Sequence, residues 1–117
     1  MPAILSDIDG VVYRGGHEIG NSKKVIKALL NQNVENHKGL KVPFALLTNG
    51  GGIPESERAK YVNKIIGLDK EDQGKVRVLE GQDMILCHSP FREEHLVENY
   101  KDKFVLVSGL GRMIELA

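Results

Sequence analysis

Short apolar runs alternate with amphipathic stretches along the whole chain, and most of the runs end in polar, turn-forming residues. The first run predicts a strand over residues 1–8, stopped by the turn that carries Asp7 and Asp9. Residues 11–13 continue apolar, and residues 14–20 read as a glycine-rich loop. Asn21 or Ser22 suits a helix cap. Val25, Ile26, Leu29 and Leu30 then share one helical face, with Lys23, Lys24 and Lys27 on a solvated one. Residues 31–41 are polar and predict an extended loop. The unbroken run Phe44–Leu47 suits a strand covered on both faces in a parallel sheet.

After three consecutive glycines, residues 53–57 open a second helix. Pro54 suits its first turn, and Glu55 and Glu57 favour its positive end. Ala59, Val62, Ile65 and Ile66 form its apolar face and Gly67 its stop. Residues 76–79 read as a strand or as the lead-in to Gly81-Gln82-Asp83. Residues 84–87 predict a strand with Cys87 buried in it as a small hydrophobe. A helix over 91–100 carries Leu96, Val97 and Tyr100; a strand follows over 104–108, and a helix begins at 113. This alternation predicts an α/β fold, a three-layer doubly wound parallel sheet with right-handed crossovers.

Composition narrows the picture. A chain of 117 residues points to one domain. With 41% hydrophobic residues, 5% aromatics and no Trp, aliphatic side chains must do most of the packing. The 16 basic and 16 acidic residues cancel, so no global field argues for nucleic acid or an anionic membrane as partner. Cys87 is the only cysteine, which excludes an intrachain disulfide and suits a reducing compartment. No apolar run is long enough to span a bilayer, and no secretory signal pattern is visible. The expectation is an intracellular protein, cytoplasmic or mitochondrial.

The chemistry concentrates at two strand ends. Residues two apart on a strand point to one side, roughly 6.6 Å apart along it, so Asp7 and Asp9 should project together. Gly10 frees the backbone to turn there, at the carboxyl end where parallel α/β sheets bind ligands. Two such carboxylates suit a divalent cation, a nucleophile with an acid–base partner, or both. A polar turn is the plain alternative. The second strand end, Leu47-Thr48-Asn49-Gly50, adds a hydroxyl, an amide and glycines. Of the histidines, His17, His37, His88 and His95 show no ligand spacing and read as surface or structural. His88 and Ser89 could nevertheless line a pocket at the sheet edge. Gly50-Gly51-Gly52 lacks the Lys-Ser/Thr of a P-loop, and Gly109-x-Gly111 lacks the third glycine of a dinucleotide fingerprint. A phosphoacceptor receiver module would need an Asp ending a middle strand, where Asn49, His88 and Ser108 stand.

With Asp7-Ile8-Asp9-Gly10-Val11 after the first strand and Leu47-Thr48-Asn49 ending the next, the chain resembles the haloacid dehalogenase superfamily. The intervening helix and the Asn after Thr48 resemble its NagD-type branch. The stretches 85–91 and 107–111 look like the cat eye syndrome critical region protein 5 group. The resemblance implies a Mg²⁺-dependent phosphomonoester hydrolase working through an aspartyl-phosphate. Asp7 would be the nucleophile and Asp9 the acid–base. Asp7 and the Asp9 carbonyl would hold Mg²⁺, and Thr48, Asn49 and Gly50 would bind the phosphoryl group of a small phosphorylated metabolite. The resemblance also implies a later Lys, an acidic pair and a cap domain. Arg112 and Glu115, set in a predicted helix, do not match these. Residues 1–117 are therefore expected to be the N-terminal part of an incomplete core without its cap, inactive alone, and either homo-oligomeric or completed by a second polypeptide. The alternative is a non-catalytic protein that keeps the fold for binding or regulation.

Overall fold

The computed structural model describes residues 3–31, 39–70, 76–106, 108 and 111–112. The chain opens with strand β1 (Ile4–Ser6) and the short pair β2 (Tyr13–Arg14) and β3 (His17–Glu18). Helix α1 (Ser22–Leu30), strand β4 (Phe44–Leu47) and helix α2 (Glu55–Ile66) follow, then strand β5 (Met84–Ile85) and helix α3 (Glu94–Tyr100). The main sheet is parallel, with order β1-β4-β5. The expected α/β architecture with a parallel sheet is what forms.

Register is what matters for the site. Ser6 of β1 lies beside Leu46 of β4, and Leu47 lies beside Ile85 of β5. The Thr48 amide extends the last ladder with a 3.0 Å bond to the Ile85 carbonyl. Three parallel strands thus end at one edge, and the residues just beyond them (Asp7, Thr48 and the 87–89 turn) share it.

The core is aliphatic, as the composition requires. Ile8, Leu46, Val62, Leu68 and Leu86 are fully buried, joined by Ile26, Leu30, Ala59, Ile66, Leu79 and Met84. Helix α2 packs on the 3₁₀ turn Gly81–Asp83, on β5 and on β3. It ends where expected: Gly67 has φ +71°, a left-handed conformation that caps the last turn through bonds to the Asn63 and Lys64 carbonyls. The buried Asn63 side chain brackets Leu79, donating to its carbonyl (2.8 Å) and accepting its amide (3.1 Å). One side chain thereby satisfies both backbone groups of a segment that joins no strand, so residues 76–80 form a lead-in rather than a strand.

Several expectations are corrected. The loop over 14–20 contains an antiparallel hairpin, β2–β3, turned by Gly15 and Gly16, both with positive φ. Pro54 is the cap residue of α2, one place ahead of its first turn. The strand Phe44–Leu47 is not covered on both faces: Leu46 is buried while Leu47 is 44% exposed. Val25 is exposed, so the buried stripe of α1 is Ile26, Leu29 and Leu30. The strand predicted over 84–87 stops at Ile85, because Ser89 Oγ accepts the Leu86 amide and draws the chain into a 3₁₀ turn, Ser89–Arg92. Cys87 is consequently exposed, not buried. The predicted helix over 91–100 begins only at Glu94, and Val97 and Tyr100 face solvent. Phe104, Val105 and Leu106 form no strand and are exposed. The predicted helix from residue 113, most of the loop over 31–41, His37 and Glu115 lie outside the described residues.

Candidate active site at the carboxyl edge of the sheet

Backbone geometry past β1 brings the two acids to the edge on different terms. The Asp7 carboxylate caps its own turn, Oδ1 accepting the Ile8 amide at 2.8 Å, and the residue is solvent-exposed. The chain then turns tightly, with the Val12 amide on the Ile8 carbonyl (2.9 Å) and the Gly10 amide on the Tyr13 carbonyl (2.8 Å). Gly10 has φ +86°, a conformation that disfavours any residue with a Cβ.

Asp9 is the centre of a side-chain net. Its Oδ2 accepts a 2.9 Å hydrogen bond from Arg58 Nη2 and a longer one, 3.4 Å, from Thr48 Oγ1. Tyr13 also bonds to Asp9. Burial first, and that hydrogen bond second, push the Tyr13 phenol up to about 12, against the opposing pull of Arg58. The Tyr13 ring is held edge-on against Tyr61 of α2, with centroids 5.9 Å apart.

Thr48 is buried, and its hydroxyl accepts the Gly50 amide at 3.1 Å while facing Asp9. A Cβ added at Gly50 would lie 2.7 Å from Arg58 Nη2, so the guanidinium rests directly on this turn. At Gly51 a Cβ would meet Cys87 Sγ at 2.5 Å. Glycine at these two places lets the Arg58 and Cys87 side chains approach the backbone closely. Asn49 is exposed in the same turn.

Of the sequence-predicted residues, the structure joins Asp9, Thr48 and Gly50 in one bonded net. It sets Asp7 and Asn49 at the same edge without tying them into that net among the described residues. Arg58 is the participant that the sequence reading missed. Its signal was weak: a basic residue beside Ala59 on the second helix resembles any solvated charge until the helix is laid over the glycine turn.

Next to this net lies a second cluster. Glu55 accepts Ser89 Oγ at 2.7 Å and Arg92 Nη1 at 2.9 Å. Burial alone would raise the Glu55 carboxyl, but bonds from Ser89, its own backbone amide and Arg92 hold it below the usual range. His88 is buried, with Nε2 3.5 Å from Glu55 Oε1 and neither ring nitrogen hydrogen-bonded among the described residues. Ser89 and His88 therefore serve the packing behind Gly51 and Glu55; the hydroxyl of Ser89 is committed at both ends to Leu86 and Glu55.

The residues fit a hard cation in one mode only. No group of three or more His, Cys, Asp or Glu side chains gathers among the described residues. The carboxylates at the edge are those of Asp7 and Asp9. That set suits Mg²⁺, which keeps waters and is commonly held by one or two carboxylates plus a substrate phosphate.

The chain is similar to known proteins over almost all its length. The sequence profile of a family described as haloacid dehalogenase-like hydrolase matches residues 4–117. A cardiolipin synthase (CMP-forming)/mitochondrial hydrolase fusion protein of Schizosaccharomyces pombe is 36% identical over 102 residues, covering 87% of this chain and 14% of that protein. A mitochondrial hydrolase of Saccharomyces cerevisiae is 35% identical over 98 residues, covering 84% of this chain and 22% of its own length. The chain thus spans less than a quarter of either curated relative. The crystal structure of a hypothetical protein from Pyrococcus horikoshii superposes on 99% of this chain and 38% of its own, with TM-score 0.64 and 22% identity, which speaks for the fold.

Proposed function

Because the chain belongs to the haloacid dehalogenase-like hydrolase family, we propose that it carries the nucleophilic part of a phosphomonoester hydrolase acting through an aspartyl-phosphate. The observation that supports this most is the parallel register, which puts the exposed Asp7 carboxylate on the same edge as the Asp9–Thr48 pair. In this reading a carboxylate oxygen of Asp7 attacks phosphorus, and the bond from phosphorus to the substrate's ester oxygen breaks. Asp9 gives its proton to the departing alkoxide. It then takes a proton from the water that attacks the aspartyl-phosphate, releasing inorganic phosphate and restoring Asp7. The Thr48 hydroxyl, Asn49 and Gly50 steady the phosphoryl oxygens as charge shifts onto them. Mg²⁺, held by the Asp7 carboxylate and the Asp9 carbonyl with water and phosphate, would supply positive charge against the phosphoryl group.

The substrate in this reading is a small phosphorylated metabolite. Residues 1–117 are the N-terminal part of a longer core, whose remaining metal ligands and cation come from other residues of the same protein or from a second polypeptide. The word mitochondrial in both curated relatives' names supports that compartment here.

The test is Mg²⁺-dependent hydrolysis of an aryl phosphate by the full-length protein, its Asp7→Asn variant and its Asp9→Asn variant. Asp7→Asn should abolish turnover and Asp9→Asn should reduce it by about 10²-fold or more. Both variants turning over at the wild-type rate would reject the hydrolase reading in favour of a non-catalytic, phosphate-binding role.

A further inference from the structure

We propose that Arg58, bonded to Asp9, is this chain's own cationic contact for a phosphoryl group. The inference builds on the hydrolase reading above and adds to it a residue with a defined task.

Three observations converge on the guanidinium. Its side chain is only 17% exposed, and its Nε is buried with no hydrogen-bond partner among the described residues. A cation so withdrawn from water is held for an anion more firmly than a surface arginine would be, because screening by solvent is weaker there. Second, its Nη2 lies on the Gly50 turn, 2.7 Å from where a Cβ at that residue would stand. The charge is thus at the mouth of the loop that follows Thr48. Third, its partner Asp9 Oδ2 is shared with Thr48 Oγ1 and belongs to a half-exposed side chain, so the pair is open to solvent on the Asp9 side.

The chemistry of the fork completes the case. A guanidinium has five N–H donors in one plane, and the described bond to Asp9 engages Nη2. It can therefore keep Asp9 in place and still direct another donor at a phosphoryl oxygen, a two-point geometry that a lysine cannot reproduce. One arm of the fork would then fix the Asp9 carboxylate while another meets the dianion beside it. Arg58 acts as a substrate contact at one face and a positioning residue at the other.

The test uses inorganic phosphate as the probe, titrated calorimetrically and by phosphorus NMR against the full-length protein with Mg²⁺ present. Wild type should bind saturably. Arg58→Ala should bind roughly 10–100-fold more weakly, the usual worth of a charge-assisted bond, and Arg58→Lys should fall between. Gly50→Ala keeps the arginine but places a methyl group in its seat, and should also weaken binding. Arg58→Lys, which keeps the charge without the planar fork, decides the matter if circular dichroism shows Arg58→Ala to be unfolded. No saturable binding to wild type, or equal affinities across wild type, Arg58→Ala and Arg58→Lys, would overturn the proposal. Failure of the aspartyl-phosphate reading would show differently: Asp7→Asn would turn over like wild type, with the Arg58 dependence of phosphate affinity intact.

Discussion

Asn63 offers a strong test of how the site's scaffold is held. Helix α2 carries both Arg58 and Asn63, and the Asn63 amide is the clamp between that helix and residues 76–80. Replacing it with alanine removes the acceptor for the Leu79 amide and the donor to the Leu79 carbonyl. Leu79 is 2% exposed, so water does not readily replace either partner. Each buried group left unpaired costs about 1–3 kcal/mol. Taking the lower half of that range for both, Asn63→Ala should lose about 2–4 kcal/mol, a large share of the ~5–15 kcal/mol typical of a domain. Urea unfolding followed by far-ultraviolet circular dichroism should show a lower midpoint with an unchanged slope. Asn63→Asp keeps the acceptor but loses the donor and buries a charge, so it should be at least as costly at neutral pH. A loss below about 0.5 kcal/mol for Asn63→Ala would place that variant among ordinary surface substitutions and refute the clamp.

Four further outcomes follow from the same contacts. Thr48→Val leaves the Gly50 amide unpaired and removes a donor to Asp9; in the full-length protein it should lower turnover by up to about 10³-fold with a smaller change in KM. Gly51→Ala drives a methyl group onto Cys87 Sγ and should cost about 1–3 kcal/mol in thermal melts, and Cys87→Ala in the same background should restore most of it. Leu46→Ala empties the centre of the sheet and should cost about 2–5 kcal/mol by chemical unfolding. Tyr13 titrates in the folded protein at about 12, above its ordinary value of 10.0. Between those values the unfolded chain has lost the phenolic proton that the folded one keeps, so stability is fully present below pH ~10 and falls as pH rises towards ~12. Tyr13→Phe should flatten that part of the stability–pH curve.

What could be read from the chain in advance is what depends on neighbours in sequence. The two long helices are legible because their signals are local: the Asn21–Ser22 cap, the 3.6-residue spacing of Ile26, Leu29 and Leu30, and Gly67 at the left-handed stop. The parallel sheet is legible from alternation alone. The β2–β3 hairpin was missed although Gly15-Gly16 is a known turn signal, because four strand residues give no periodicity to count. Cys87 was misplaced for a different reason. An apolar run cannot say where its ladder stops, and here the Ser89 hydroxyl, three residues beyond Leu86, stops it.

The site divides along the same line. Asp7, Asp9, Thr48 and Gly50 each follow a strand, so strand order and direction suffice to bring them to one edge. Arg58 could not be reached that way. Forty-nine residues separate it from Asp9, and its position depends on the angle at which α2 leaves the glycine turn and on the Asn63 clamp. Of the three consecutive glycines, two are close-approach positions, Gly50 under the Arg58 guanidinium and Gly51 under Cys87 Sγ. Motif residues therefore mark one edge of the sheet, while the cation bonded to Asp9 is brought there by the packing of α2. This is why Gly50→Ala, which alters no ionisable group, is expected to act on phosphate affinity much as loss of the arginine does.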